Sequence, residues 1–466
     1  MKTDLKKTDI VIIGAGLTGL TTAYLLARKG RQVTVVETMD KPGGQIQTHV
    51  EDGFVFESGP NTGTISCPEV AELMADLEKT SNGKCRLETA PDASKRRLIW
   101  KGDRFRDLPS GPMSAITTPL FTLGDKLRIL GEPWRTKGDN PDETVGALAR
   151  RRLGKSFVDY AVDPFLSGVY AGDPDTLVTR YALPKLYNLE QRYGSFVRGA
   201  MAKAREPKSD RDRLATKKVF SAVGGLSRIT LSMADYLGPE RLLLGAKNVK
   251  ANPTETGWSV GFEGQGGGQV QIDCRRVVTT CGAYALPRVL PFVDSQDMRQ
   301  LNNLKYAPVA EVSVGVRDTL GGDYQAFGGL VPTCERKQVL GILFPSACFT
   351  GRAPENGALF SYFIGGVKHA ELLDKSDSEL TALVEDCFHT MLKFPAGIKP
   401  DLIRIFRHQR AIPQYEITTG ERLKAIGRLQ DRYRGLTIAG NLRDGIGMAH
   451  RIKQATEIAN GLTSEQ

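Results

Sequence analysis

Gly14, Gly16 and Gly19 spell G-x-G-x-x-G directly behind the apolar run IVII and at the start of the helical run LTTAYLLARKG. A turn of that kind, with Ala15, Leu17 and Thr18 between the glycines, offers bare backbone N–H groups and the positive end of a helix dipole, which together suit a pyrophosphate. Glu37 closes the next run, QVTVVE. An acid there accepts hydrogen bonds from a ribose 2′-hydroxyl and repels a 2′-phosphate. The spelling alone is weak, because a tight turn packing a helix on a strand uses the same glycines. Strand, turn, helix and second strand over residues 9–37 supply the context, so the expected chemistry is binding of a dinucleotide other than NADP.

Such a cradle needs a large globular chain around it, and the composition describes one. The 466 residues suggest two or three domains at roughly 150 residues each. With 40% hydrophobic and 25% charged residues, general disorder is excluded. A net charge of +10 favours anionic partners without choosing among nucleic acid, acidic lipid and a carboxylate-bearing substrate. The seven cysteines, at 67, 85, 274, 281, 334, 348 and 387, are odd in number and form no C-x-x-C pair, which reads as reduced thiols in a cytosolic protein. The five histidines are dispersed, and neither H-E-x-x-H nor G-x-x-x-x-G-K-[ST] occurs, so no metal site is expected. The uncharged stretch 10–27 carries Gly14, Gly16, Gly19, Thr18, Thr21 and Thr22. That suits a strand, turn and helix better than a signal anchor or transmembrane span.

Further along, Pro68 opens a helix with Val70, Leu73, Met74 and Leu77 on one face. A Pro-broken segment follows from about residue 90, then helical stretches near 142–153 and 184–203. Strand-like runs return between 219 and 285, and VAEVSVGV, VLGILF and ALFSYFI suggest a second sheet. The tail closes with the strand GLTIAG and a helix after Gly447.

The segment KPGGQIQTHVEDGFVFESGPNTG separates nicotinamide from flavin. Its second glycine pair, Gly43 and Gly44, and its turn Gly59, Pro60, Asn61 resemble the FAD-dependent amine oxidase superfamily. There the pair lies by the FAD phosphates and ribityl chain, and the turn by the isoalloxazine. Gln45 departs from the arginine common in relatives. SKRRLIWKGDRFRDLPSGPMSAITTPL, DPFLSGVYAGDPDTLVTRYALPKLYNLEQRYGS, FGGLVPTCERKQVLGILFPSACFTGRAP, SYFIGG, AIPQYE and AGNLRDGIGMA resemble the protoporphyrinogen oxidase family over nearly the whole chain.

That resemblance implies noncovalent FAD and a porphyrinogen substrate. It implies that Arg96 pairs with a propionate, a match for the planar guanidinium fork, and that Leu330, Leu343 and Phe363 sandwich the rings. It further implies a backbone contact from Val249 to adenine, and that Gly440, Asn441, Ile446, Gly447 and Met448 face the flavin pyrimidine edge, where a helix start stabilises the negative charge of reduced flavin. No catalytic side chain is expected, since the flavin takes six electrons in three hydride transfers.

The expected fold class is α/β: a Rossmann-type FAD-binding domain (1–89, 216–285 and 420–466) interleaved with an α+β substrate domain with a mixed sheet (286–419) and a mainly helical, membrane-associating insertion (90–215). The expected function is oxidation of protoporphyrinogen IX, with oxygen favoured as acceptor and a respiratory acceptor left open. Oxidation of coproporphyrinogen III stays open, as do amine or carotenoid-type oxidation and, outside enzymes, a lipid carrier like the GDP-dissociation inhibitors. The basic segment 198–218 is a candidate contact to an anionic membrane surface against the plainer reading of a solvated loop. A cytoplasmic protein, peripheral on the inner membrane face and without nucleic acid, is expected. Oligomeric state is not readable.

Overall fold

The run Ile10–Ile13 is fully enclosed because it is the middle strand of a five-stranded, all-parallel sheet. The computed structural model describes residues 4–464, and in it the sheet order is Leu242–Leu243, Val33–Val36, Ile10–Ile13, Arg276–Thr279, Leu436–Ile438. Parallel sheets are stable when both faces are covered, which is why these strands are almost unbroken Val and Ile. Helices Leu17–Arg28, Ser227–Leu237 and Met448–Ser464 pack into the core on one face. On the other lies a four-stranded layer of Asp4–Lys7, Gln269–Cys274, Gly257–Glu263 and Lys247–Thr254. In Gly257–Glu263 only Trp258, Val260 and Phe262 point inward, the period of two expected of a strand with one buried face. The strands come from three distant stretches of chain, so this sheet interleaves in sequence with the rest of the fold.

The second large sheet has seven strands in the order Leu402–Pro413, Tyr306–Val316, Ala358–Gly365, Gly341–Leu343, Gly328–Leu330, Arg97–Lys101, Arg104–Asp107. One face is a conventional core: Val312, Val314, Phe360, Tyr362, Ile364 and Ile342 pack with Leu380, Val384 and Phe388 of helix Asp377–Thr390. The hairpin Arg97–Asp107 thus belongs to the same sheet as strands some two hundred residues later. Between Pro112 and Arg213, every regular element among the described residues is a helix.

That helical region is stapled internally. Arg152 is fully buried, and its guanidinium holds Glu132 (Nε to Oε1, 2.6 Å) and Glu190 (Nη1 to Oε1, 2.7 Å). Glu132 in turn accepts from Ser195 Oγ and from the N–H groups of Phe196 and Val197. Buried charges persist only when paired and hydrogen-bonded in this way.

Candidate active site

The three glycines of the first turn are glycine for different reasons. A Cβ on Gly19 would stand 1.9 Å from the Gly14 carbonyl oxygen, and one on Gly14, at φ +109°, would stand 2.7 Å from Thr280 Oγ1. Those two are demanded by packing. A Cβ on Gly16 would meet nothing within 4 Å. A glycine with open space and no steric reason to lack a side chain fits a turn that a phosphate must approach closely. Gly16 is also the N-cap of helix Leu17–Arg28, and no side chain caps its first-turn donors.

Gly43 lies beside Gly16, and its N–H donates to the Ala15 carbonyl at 2.8 Å. Gly44, at φ +58°, would place a Cβ 3.2 Å from the Gly16 Cα. The two glycine motifs therefore form one surface. Glu37 sits at its edge: Oε2 accepts from Ala15 N at 2.6 Å, and Oε1 accepts from Met39 N and Thr38 Oγ1 at 2.8 and 3.1 Å. Three donors leave about one lone-pair direction on an ionised carboxylate for a hydroxyl. Cradle, helix start and acid together fit a dinucleotide such as FAD.

Val249 is buried in the core between the parallel sheet and the four-stranded layer. A register shift between Lys247 and Lys250 takes its main chain out of the ladder.

Cross-strand partners in a sheet share a face, so pairing decides what the seven-stranded sheet presents opposite its core. One row reads Arg97, Gly328, Leu343, Ser361, Ser313; the next reads Ile99, Leu330, Gly341, Phe363, Glu311. The three apolar residues expected to hold a substrate are thereby brought together. Leu330, Leu343 and Phe363 are half-buried, whereas Ile342, Tyr362 and Ile364, facing the other way, are buried. Gly328 and Gly341 have no side chains, so each row has a gap between bulky neighbours. Helix Asp163–Tyr170 crosses this face where Gly168 allows it, since a Cβ there would stand 2.4 Å from Leu330 Cδ2. Ala171, just past that helix, adopts left-handed backbone at φ +46° and packs against Phe363, its carbonyl taken by Val367 N at 2.9 Å. Such a conformation is strained for alanine.

Asn61 of the second glycine-rich stretch is locked onto the same face. Its Nδ2 donates to Glu311 Oε1 at 2.5 Å and to the Gly59 carbonyl at 3.1 Å, and its Oδ1 accepts from Ser361 Oγ at 2.8 Å. Gly59 closes against Gln45, whose carbonyl oxygen would be 2.1 Å from a Cβ at that position, and Pro60 is half-buried between them and Asn61. The Gln45 side chain is exposed and reaches the Arg410 and Ala411 carbonyls at 3.4 Å.

Arg96 does not join these rows. It precedes Arg97 by one residue, so its side chain leaves toward the opposite face, where it pairs with Asp107 at 3.0 Å and Asp323 at 3.7 Å. Arg97 is the residue in register with Gly328. Among the described residues it has no acidic partner; its guanidinium lies 5.6 Å from the Phe327 ring centre.

The terminal turn is shaped from beneath. Gly440, at φ +97°, donates its N–H to Gln454 Oε1 at 2.9 Å, and its carbonyl accepts from Arg451. Arg451 also holds the Arg443 carbonyl at 2.7 Å. Tyr415 Oη donates to the Asn441 carbonyl at 2.8 Å and accepts from Gly445 N at 3.1 Å. Ile446 packs with Tyr170 and Tyr415, Gly447 is exposed, and Met448 begins the last helix inside the core. Sequence reasoning missed Glu311, Gly168, Arg451 and Gln454. Only Glu311 left a signal, as the one acid in an otherwise apolar and small-residue strand.

A model of the family described as flavin containing amine oxidoreductase matches residues 17–448. The chain is 30% identical over 480 residues to the chloroplastic protoporphyrinogen oxidase of Oryza sativa subsp. japonica, covering 98% of this chain and 88% of that one. It is 24% identical over 481 residues to the coproporphyrinogen III oxidase of Bacillus subtilis, with 98% of each chain covered. A solved structure from Exiguobacterium sp. 255-15, provisionally described as a protoporphyrinogen oxidase, superposes with a TM-score of 0.79 at 21% identity over 100% of both chains.

Proposed function

The chain belongs to the flavin containing amine oxidoreductase family, and we propose that within it the protein oxidises protoporphyrinogen IX to protoporphyrin IX in haem biosynthesis. FAD, when bound, supplies the two-electron acceptor that a six-electron aromatisation must use three times. The turns at Gly14–Gly19 and Gly43–Gly44 would hold its phosphates, Glu37 its ribose, and the freed main chain of Val249 its adenine. Gly59–Asn61 and the turn from Gly440 to Met448 would flank the ring system. The remaining work of the protein is orientation: a flat, apolar macrocycle laid on Leu330, Leu343 and Phe363 is held with one bridging carbon toward the cofactor, and water is excluded.

The observation that carries this reading is the pairing of an apolar face with guanidinium groups at its end: Arg97, in register with Gly328, and Arg106, in register with Ile99, have no acidic partner among the described residues. A guanidinium binds a carboxylate through two parallel hydrogen bonds, which suits the propionate end of the ring. Three other cations are taken: Arg404 by Glu51, Lys368 by Asp163, and Lys101 by the Leu120 carbonyl. Coproporphyrinogen III carries two further propionates at the opposite end, where the face offers leucine and phenylalanine. A buried carboxylate without a partner costs several kcal/mol. The ratio of kcat/KM for protoporphyrinogen IX over coproporphyrinogen III, measured side by side by porphyrin fluorescence, is expected to exceed ten. A ratio of one or below would transfer the assignment to the coproporphyrinogen reaction.

We further propose that the helical region docks on an anionic membrane surface. No helix among the described residues is long and apolar enough to cross a membrane. Helix Leu123–Leu130 has no buried residue, and Leu123, Leu127 and Leu130, one helical stripe, are exposed, as are the neighbouring-element residues Met113, Ile116 and Trp134, the last 79% exposed. Through Glu132 this stripe adjoins helix Phe196–Ala204, whose Val197 and Met201 are also exposed. Arg198, Lys203, Arg205 and Lys208 form the basic rim, whereas Arg211 and Arg213 are taken by Glu69, Glu72 and Asp210. An outward apolar stripe beside basic residues suits a lipid interface. Leu120 and Phe121, at the root of the stripe, pack with Ile99 and Leu330, so an apolar substrate would leave the lipid beside its pocket. Sedimentation with phosphatidylglycerol vesicles is expected for the unmodified protein, weakening at high salt, and is lost in the double variant Leu127→Glu, Trp134→Glu. Equal sedimentation of both proteins would contradict this surface.

A further inference from the structure

Glu311 lies in the middle of strand Tyr306–Val316, 1% exposed, between Phe363 on one neighbouring strand and Phe406 on the other. An acid in that place is costly unless something requires it. Among the described residues it has no ion pair; the Arg352 guanidinium is held by Glu57 at 3.0 Å and Ser221 Oγ at 2.7 Å. Its one hydrogen-bond partner among the described residues is the Asn61 amide, at 2.5 Å.

That single bond completes a closed set. Both N–H groups of the Asn61 amide are used, by Glu311 and by the Gly59 carbonyl, and its oxygen is held by Ser361. An amide with all its strong bonds fixed cannot rotate, and the turn that carries it cannot drift from the sheet. We propose that Glu311 is a positioning residue for the redox reaction: with Ser361 it clamps Asn61, and through it the turn Gly59–Asn61, at one distance and orientation from the cofactor ring and the substrate on Phe363. The inference rests on the reading that this turn lies by the flavin.

Burial, reinforced by the charge of Glu57, holds the Glu311 carboxyl well above the ordinary carboxylate range. Burial thus favours the neutral acid over the carboxylate at this position. A neutral carboxyl can accept from Asn61 without setting a negative charge against electrons arriving on the cofactor. Glutamine reproduces both its shape and its acceptor oxygen; leucine reproduces only the shape.

The test compares purified holoenzyme carrying Glu311→Gln, Glu311→Leu or Ser361→Ala by flavin content, flavin midpoint potential, kcat and KM. The glutamine variant is expected to keep the potential and to lie within about threefold of the parent in kcat. The leucine variant is expected to bind flavin stoichiometrically, shift its potential and lose about tenfold in kcat, roughly one hydrogen bond's worth, with KM within twofold. If the leucine variant fails to fold, Ser361→Ala, which releases the other side of the same amide, is expected to move potential and kcat in the same direction. An unchanged potential and kcat in the leucine variant, or in Ser361→Ala where leucine does not fold, would overturn the clamp. So would a glutamine variant as impaired as leucine, since the proton and not the position would then be what is needed. Failure of the unmodified protein to hold flavin would instead overturn the cofactor reading beneath it.

Discussion

Gly16→Val is expected to purify folded and colourless, whereas Gly19→Val is expected to be destabilised as well as colourless. The contrast follows from the space around the two residues. Valine at position 19 would drive its Cβ into the Gly14 carbonyl oxygen, 1.9 Å away, and nothing in a strand–turn–helix junction can yield by that much. A Cβ at position 16 meets nothing within 4 Å, so helix Leu17–Arg28 and the parallel sheet should form normally. Its side chain would instead fill the space in which backbone N–H groups meet the pyrophosphate. The expected result is a melting temperature for apo Gly16→Val within a few degrees of the apo parent, with FAD affinity reduced at least a hundredfold. Full flavin content in Gly16→Val would show that the phosphates lie elsewhere.

Arg97→Ala is expected to lower kcat/KM for protoporphyrinogen IX by about 10- to 100-fold, because a hydrogen bond to a charged group contributes about 1.5–3 kcal/mol. The loss should appear mainly in KM, since the propionate contact is made equally before and during the reaction. Flavin content and melting temperature should not change, the side chain being exposed and without an acidic partner. Arg96→Ala is the control. Its guanidinium is half-exposed and paired with Asp107 and Asp323, so removing it should change kcat/KM less than twofold. Steady-state kinetics of the two variants decide the matter, and a larger loss in Arg96→Ala would reverse the assignment.

Those adjacent arginines show where legibility in the sequence stops. SKRRLIW announces a strand with basic residues at its start, but the face each residue takes is set by register with Gly328 and Leu330, more than two hundred residues away. A slip of one residue exchanges the faces. Glu311 was hidden differently. In VAEVSVGV the alternation of Glu311 and Ser313 with Ala310, Val312 and Val314 is legible, and such a pattern normally marks a solvent side. Here the polar side is the inner wall of the site, enclosed by the hairpin Thr48–Glu57 and helix Asp163–Tyr170, elements that nothing local connects to that strand. The glycine motifs were readable because their geometry is local: residues 10–37 contain the strand, the turn, the helix start and the acid together. Leu123, Leu127 and Leu130 have the helical spacing of a core face, and only the surrounding structure shows that they are largely exposed.

The account stands or falls on whether a porphyrinogen passes its electrons to flavin held by this chain. Anaerobic titration of the purified holoenzyme with protoporphyrinogen IX tests this directly, following flavin absorbance and porphyrin fluorescence in the same cuvette. Six electrons leave each porphyrinogen and each flavin takes two, so the flavin should bleach fully at one porphyrinogen per three flavins, with porphyrin fluorescence rising in proportion. A flavin that stays oxidised in the presence of excess protoporphyrinogen IX, or a preparation that holds no flavin, would contradict it.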